Sequence, residues 1–126
     1  MKTMEEIQEE AVRFRDERNW KQFHNPKDLA ISISLEAAEL LEVFQWSGMD
    51  LNVTEKKWKI EEELADVLIY SLLMADATDL DVEAIIEKKL QVDREKYPVE
   101  EAYGSKAKYT ELKKAHGQDE EKDDTL

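Results

Sequence analysis

Residues 63–75 read ELADVLIYSLLMA, and this stretch decides the fold of the chain. Two acids, Glu63 and Asp66, come before nine residues without a charge, from 67 to 75. The chain contains no sustained alternation of apolar and polar residues, so the stretch is typical of a helix rather than a strand. On such a helix the two acids lie below Tyr70 and Leu73, and Asp66 is drawn toward the interior.

An earlier stretch, residues 36–44, reads EAAELLEVF and repeats this pattern. In both stretches an acid, two small or apolar residues and a second acid precede apolar residues, which indicates an internal half-repeat. At about 100° per residue, Glu36 shares one stripe of its helix with four apolar residues. These are Leu29, Ile33, Leu40 and Val43. The sequence therefore places Glu36 on an apolar face, where acids are seldom found.

The composition of the whole chain favours an all-α fold. Three glycines and two prolines in 126 residues leave few breaks, and 41% apolar with 39% charged residues suits amphipathic helices. We predict an antiparallel bundle of four main helices, with Asp28 and Thr54 capping the second and third. The predicted helices span residues 4–18, 26–46, 55–77 and 82–97.

A single domain is expected over residues 1–112, ending in a short irregular segment after the fourth helix. The last fourteen residues, 113–126, hold five acids and three lysines but only two apolar residues. Such a composition cannot repay the entropy of ordering, so we predict an acidic disordered tail.

Charge and composition exclude several classes of function. The net charge of −13, from 18 basic and 31 acidic residues, argues against binding a nucleic acid polymer. No apolar run is long enough to span a membrane and no signal peptide is expected, which predicts a cytoplasmic protein. Without cysteine, any metal must be held by oxygen or imidazole.

Four acids on two neighbouring helices form the candidate site. Acids three residues apart project from the same side of a helix, so two pairs on antiparallel helices aim four carboxylates into one space. A single pair most often faces solvent, but two matching pairs within apolar runs favour a shared site. Hard oxygen ligands favour Mg²⁺, with Mn²⁺ as a substitute. A di-iron site would need Glu-x-x-His pairs, and neither His24 nor His116 has a glutamate three residues before it.

Several runs resemble the MazG-like all-α nucleotide pyrophosphohydrolases, and within them the dCTP pyrophosphatase group most closely. The resemblance covers about residues 4–112, in order and with plausible spacing. The runs that carry it are WKQFHNP (20–26), EAAELLEVFQW (36–46), ELADVLIY (63–70), KYP (96–98) and KYT (108–110).

The resemblance implies hydrolysis of a nucleoside triphosphate to the monophosphate and pyrophosphate. It also implies a Mg²⁺ site formed by Glu36, Glu39, Glu63 and Asp66, which are the expected catalytic residues, and assembly into a homodimer or a dimer of dimers. Helices with apolar residues on more than one face, such as residues 67–75, favour the same assembly. One of the carboxylates is expected to orient or deprotonate the attacking water, with Glu39 preferred.

Residues outside the acidic cluster are expected to bind the nucleotide. Trp20, Phe23, Trp46 and Tyr70 are expected to form an apolar slot for the base, with His24 as a polar contact at its edge. Plain core packing is the alternative for Trp46 and Tyr70. The resemblance implies phosphate contacts from the later part of the chain. These residues are Lys89, Asp93, Arg94, Tyr97 and Tyr109.

The base preference and one alternative class of function stay open. The family often has Asn four residues before the Tyr-Pro pair, where this chain has Asp93, and an ionised carboxylate cannot donate a hydrogen bond as an amide does. The expected substrate is dCTP or a related pyrimidine nucleotide, with dUTP or a damaged-base triphosphate as alternatives. A non-catalytic acidic helical module that binds other proteins is the alternative from a different class.

Overall fold

The computed structural model describes residues 1–106, which contain helices and no strand. The prediction of an all-α fold with four main helices is confirmed. The predicted tail at 113–126 and Tyr109 lie outside the described residues. Two 3₁₀ turns, Lys21–Phe23 and Thr54–Lys56, interrupt the connections between helices. The helices are α1 (Met4–Glu17), α2 (Pro26–Glu42), α3 (Lys57–Ala77), α4 (Val82–Lys96) and α5 (Val99–Ala102).

The ends of α2 differ from the prediction. Asn25, not Asp28, is the N-cap, and its side-chain oxygen accepts the backbone N–H of Asp28 at 2.9 Å. Pro26 occupies the first turn, where its missing N–H costs nothing. The helix ends at Glu42, earlier than predicted, and residues 43–46 form turns. Trp46 consequently lies beyond α2.

The connection into α3 is also built differently from the prediction. Thr54 begins a 3₁₀ turn and makes no side-chain cap, so the predicted N-cap is wrong. Val53, only 6% exposed, has a left-handed backbone with φ of 45°, which a β-branched residue rarely adopts. A carboxylate oxygen of Asp50 accepts the Val53 N–H at 3.1 Å and stabilises this turn. The turn leads into α3 at Lys57.

Helices α1, α2 and α3 belong to one compact unit, Met1–Val82. The most extensive packing is between α2 and α3, and α1 packs on α3. The amide of Gln8 donates to the Leu72 carbonyl at 3.0 Å and joins α1 to α3. The buried apolar residues are few for a unit of this length. They are Leu29, Val53, Leu73 and Ala75.

The second unit begins at Glu83 and holds most of α4 and all of α5. Within α4, Lys89 Nζ lies 3.0 Å from a carboxylate oxygen of Asp93, a pair with the i,i+4 spacing that stabilises exposed helices. In the part of the chain that the structure describes, no helix combines the length and hydropathy needed to cross a bilayer.

Candidate active site

The four acids predicted from the half-repeat meet between α2 and α3. One carboxylate oxygen from each lies within 4.8 Å of the corresponding oxygen of every other. The two acids of each pair project from the same side of their helix because their spacing is i,i+3. We call this group the acidic cluster; its members are Glu36, Glu39, Glu63 and Asp66.

Two members of the acidic cluster are withdrawn from solvent and have oxygens without a donor. The Glu63 side chain is 8% exposed, and Glu36 is half-buried. The Oε2 atoms of both residues are buried and accept no hydrogen bond from the described residues. Buried polar atoms are almost always paired, so these orphaned oxygens fit the hard, oxygen-seeking character of a divalent cation such as Mg²⁺. Plain solvation does not account for Glu36 and Glu63.

Mutual repulsion is visible in the electrostatics of Glu39. Its hydrogen bond to Glu36 and the negative charge of Glu36, together with a hydrogen bond to Glu63, raise the pKa of Glu39 to about 7. A carboxyl group among like charges keeps its proton to a higher pH. A cation in the cluster would relieve the same repulsion.

Lys59 offsets part of this repulsion and was missed by the sequence analysis. Its Nζ lies 2.9 Å from Oε1 of Glu63, one turn further along α3. This hydrogen bond lowers the pKa of the Glu63 carboxyl and raises the pKa of Lys59. The i,i+4 spacing of Lys59 and Glu63 was the signal available in the sequence.

An apolar cavity of about 370 Å³ adjoins the acidic cluster at Asp66. Three residues predicted to bind the base, Trp20, His24 and Tyr70, line it. We call it the aromatic cavity. Phe14, which the sequence analysis did not select, contributes to its wall, with its ring centroid 5.8 Å from that of Trp20 in an edge-on arrangement. Further lining residues are Ile7, Glu10, Ala11, Arg15, Ile69 and Leu73.

His24 presents an unpaired polar atom at the aromatic cavity. Its Nδ1 is buried and has no hydrogen-bond partner among the described residues, and its ring meets the Tyr70 ring edge-on at 6.4 Å. Burial, and then the positive charge of Arg15, lower the pKa of His24. The imidazole is therefore neutral at neutral pH, with one ring nitrogen able to donate and the other to accept.

The structure does not bring Phe23 and Trp46 to the aromatic cavity. Phe23 is 62% exposed on the 3₁₀ turn Lys21–Phe23. Trp46 is 89% exposed and lines a separate small cavity with Val53 and Lys56, so it is not a core residue. Tyr70, in contrast, is half-buried and faces a cavity.

The predicted phosphate-binding residues of α4 lie in the second unit. Lys89 is paired with Asp93, and Arg94 Nη1 donates to the Gln91 side chain at 3.3 Å. Tyr97 lies just after α4. Their contact with substrate stays a prediction.

A second, polar cavity of about 510 Å³ adjoins the acidic cluster at Glu39 and Glu63. Lys56 and Lys59 bring two positive charges to it, and we call it the lysine cavity. The remaining lining residues are Glu42, Val43 and Gln45. Because His24 and Tyr70 meet at one end of the pair α2–α3 and Val43 and Lys59 at the other, the two helices are antiparallel, as predicted.

Comparison with known proteins agrees with this geometry. The model of the MazG-like family matches residues 31–112, which include all four acids. The chain is 36% identical over 116 residues to dCTP pyrophosphatase 1 of Homo sapiens, covering 87% of this chain and 68% of that protein. The identity to dCTP pyrophosphatase 1 of Rattus norvegicus is also 36%, over the same shares of the two chains.

A solved structure shares the fold. The crystal structure of a pyrophosphatase from Archaeoglobus fulgidus superimposes with a TM-score of 0.71 at 43% sequence identity, over 78% of this chain and 94% of that one. The family match spans most of the chain, and the curated relatives and the solved structure agree with it. The chain therefore belongs to the MazG-like family.

Proposed function

We propose that this protein hydrolyses a pyrimidine deoxynucleoside triphosphate, dCTP first, to the monophosphate and pyrophosphate, with Mg²⁺ as cofactor. Nucleoside triphosphate pyrophosphohydrolysis is the activity of the chain, in keeping with the pyrophosphatases that it is similar to. The observation that carries the proposal is the acidic cluster with two orphaned, buried carboxylate oxygens, placed directly beside the aromatic cavity. The names of the relatives support dCTP in particular.

The acidic cluster would hold the cation through oxygens of its four carboxylates. A divalent cation bound there would neutralise the triphosphate and lower the pKa of an attacking water. Glu39 is exposed, so solvent reaches its carboxylate, which supports its role in orienting or deprotonating that water. No nucleophilic side chain is then required.

The aromatic cavity would take the base. Trp20 and Tyr70 offer flat apolar surfaces, and the unpaired Nδ1 of His24 gains a partner when a base edge approaches. Phe23 and Trp46, which lie outside the aromatic cavity of the single chain, remain proposed contacts of the nucleotide. The residues of the later part of the chain remain proposed contacts of the phosphates, together with Tyr109. They are Lys89, Asp93 and Arg94 of α4 and Tyr97 just after it.

Self-association into a homodimer or a dimer of dimers is part of the proposal. Helices α2 and α3 carry large apolar side chains that stay exposed in the single chain, which is unusual for a soluble monomer. A second copy of the chain would cover such faces. The residues concerned are Ile31, Leu35, Leu41, Trp58, Leu64 and Leu68.

A panel of nucleoside triphosphates assayed with Mg²⁺ for pyrophosphate release tests the proposed function. The expected result is stoichiometric monophosphate and pyrophosphate, fastest with dCTP and absent when a chelator is added. Faster release from dUTP or from a damaged-base triphosphate would change the assigned substrate but support the same reaction. If no triphosphate yields pyrophosphate, the non-catalytic role is the remaining function. The shared acidic cluster argues against that outcome.

A further inference from the structure

The aromatic cavity and the lysine cavity touch different members of the acidic cluster. Asp66 lines the aromatic cavity, whereas Glu39 and Glu63 line the lysine cavity. A nucleotide whose base lies in the aromatic cavity and whose α-phosphate lies at the acids has its β- and γ-phosphates directed away from the base. The lysine cavity is the space that the described residues offer on that side of the cluster.

The charges of the lysine cavity are suited to a phosphate group that arrives with a cation. Its two ammonium groups belong to Lys56 and Lys59, and two of its three acids, Glu39 and Glu63, are proposed to hold the cation, while the third, Glu42, is not. With Glu39 and Glu63 neutralised, the two ammonium groups outnumber the one acid that remains in the cavity, and phosphate oxygens form short, charge-assisted hydrogen bonds with such groups.

Lys59 is placed to make this exchange. Its Nζ is 2.9 Å from Glu63 and 3.8 Å from Glu62, while its side chain remains 42% exposed at the cavity. An ammonium on a flexible four-carbon stem can turn from one acceptor to another without a change of the backbone. Lys59 holds Oε1 of Glu63, whereas the orphaned oxygen of the same carboxylate is Oε2, so Lys59 and a cation would bind one carboxylate and repel each other.

We propose that Lys59 holds Glu63 before the nucleotide arrives and then binds the β- and γ-phosphates in the lysine cavity, where it stabilises the departing pyrophosphate. The proposal rests on the proposed function, since it assigns the pyrophosphate end of the same substrate. Negative charge grows on the pyrophosphate as its bond to the α-phosphorus breaks, and a preplaced ammonium favours that charge. Lys56 borders the same space and is a second, weaker contact.

Binding measurements on Lys59→Met test the proposal, with Lys57→Met as the matched control. Lys57 lies two residues away on α3 and lines neither the lysine cavity nor the aromatic cavity. Calorimetry measures the binding of Mn²⁺ alone, of inorganic pyrophosphate with Mn²⁺, and of dCMP with Mn²⁺. Lys59→Met is expected to bind Mn²⁺ alone as tightly as the wild type or more tightly, because a competing cation is removed. It is expected to bind pyrophosphate about 10- to 100-fold more weakly, the loss of one or two charged hydrogen bonds.

The pattern of changes distinguishes a substrate contact from a structural role. A merely structural lysine would weaken Mn²⁺, pyrophosphate and dCMP together and lower the melting temperature. For a phosphate contact, dCMP binding stays unchanged and Lys59→Arg restores part of the pyrophosphate affinity. Unchanged pyrophosphate binding in Lys59→Met, or an equal loss for dCMP, would overturn the proposal. If the wild type releases pyrophosphate from dCTP but Lys59→Met binds pyrophosphate as tightly as the wild type, only this inference is refuted. A wild type inactive on every triphosphate would refute the proposed function itself.

Discussion

The guanidinium of Arg15 donates from Nη1 to Oδ2 of Asp76 at 2.8 Å and joins the last turn of α1 to the last turn of α3. Arg15 is only 2% exposed, and its Nε donates to Asp16 at 2.9 Å. Since the backbone carbonyl of Arg15 also accepts the Trp20 N–H at 3.1 Å, this arginine holds one wall of the aromatic cavity in place.

Asp76→Ala is expected to lower the free energy of unfolding by about 1 to 3 kcal/mol, because a buried guanidinium loses one of its two acceptors. Asp16→Ala removes the other acceptor, which is half exposed, and should cost less, about 1 kcal/mol at most. Urea denaturation of both variants measures the difference. Equal losses would contradict a dominant role for the contact between helices.

Substitution within the acidic cluster is expected to separate activity from stability. Glu39→Gln and Glu63→Gln should both reduce hydrolysis by about 100-fold or more, since each removes a proposed ligand that polarises the reacting groups. Without metal, Glu39→Gln should raise the melting temperature at pH 8 by relieving repulsion, whereas Glu63→Gln loses the Lys59 pair and should not. Scanning calorimetry with and without Mg²⁺ measures both effects, and the stabilisation by Mg²⁺ should shrink in each variant. Normal turnover in either variant would refute the shared cation site.

Glu39 is expected to lower the stability of the metal-free protein as the pH rises from about 5 to 8. The pKa of Glu39 is raised to about 7 in the folded state from an ordinary value of 4.5, so the folded state holds its proton more tightly than the unfolded state. Stability from this group is fully present below the ordinary pKa and is lost as the pH rises through the folded pKa. Glu63 and His24 act in the opposite sense because the pKa of each is lowered. The effect of Glu63 falls below pH 4.5, whereas His24 adds stability as the pH rises toward 6.5.

Melting temperatures of the wild type and Glu39→Gln across this pH range, in a chelator, isolate the contribution of Glu39. The variant should show a flatter profile than the wild type. A profile of the same slope in both proteins would assign the pH dependence to other groups.

The acidic cluster was predictable because its signal is local. Two acid pairs with i,i+3 spacing inside apolar runs define their helix faces without any knowledge of tertiary contacts. Glu36 and its stripe residues Leu29, Ile33 and Leu40 are indeed buried or half-buried, whereas most other residues of α2 are exposed. The prediction of four mutually repelling acids was incomplete, however, since Lys59 neutralises one of them.

The nucleotide contacts were less predictable because they depend on where the chain turns. Phe23 and Trp46 carry the same aromatic signal as Trp20, but a 3₁₀ turn and an early end of α2 direct them elsewhere. Phe14 shares the face of α1 with Ile7 and Ala11, as the periodicity indicates, yet its approach to Trp20 depends on the turn that follows Glu17. Periodicity assigns a side chain to a face and not to a cavity.

Trp20→Ala is expected to weaken binding of dCMP by about 1 to 3 kcal/mol, the range for one stacked ring, with helical content retained. The ring of Trp20 lines the aromatic cavity from outside the regular helices, so its removal leaves the packing of α2 on α3 intact. Tyr103→Ala serves as the control, since Tyr103 is exposed and does not line that cavity. Equal affinities of Trp20→Ala and the wild type, measured by calorimetry, would exclude stacking on Trp20.

Water is expected to attack the α-phosphorus of the nucleotide. If the acidic cluster holds the α-phosphate beside the attacking water, hydrolysis of dCTP in ¹⁸O-labelled water places the label on the monophosphate and leaves pyrophosphate unlabelled. An in-line displacement requires the water and the departing oxygen on opposite sides of one phosphorus, so attack at the β-phosphorus would label pyrophosphate instead. Attack at the γ-phosphorus would release labelled orthophosphate. Mass spectrometry of the products distinguishes the three positions of attack.

The variant Lys89→Ala should slow turnover without moving the label, because a phosphate contact alters the rate and not the phosphorus that is attacked. Orthophosphate as the first product would contradict the proposed chemistry even if every acid of the cluster proved essential.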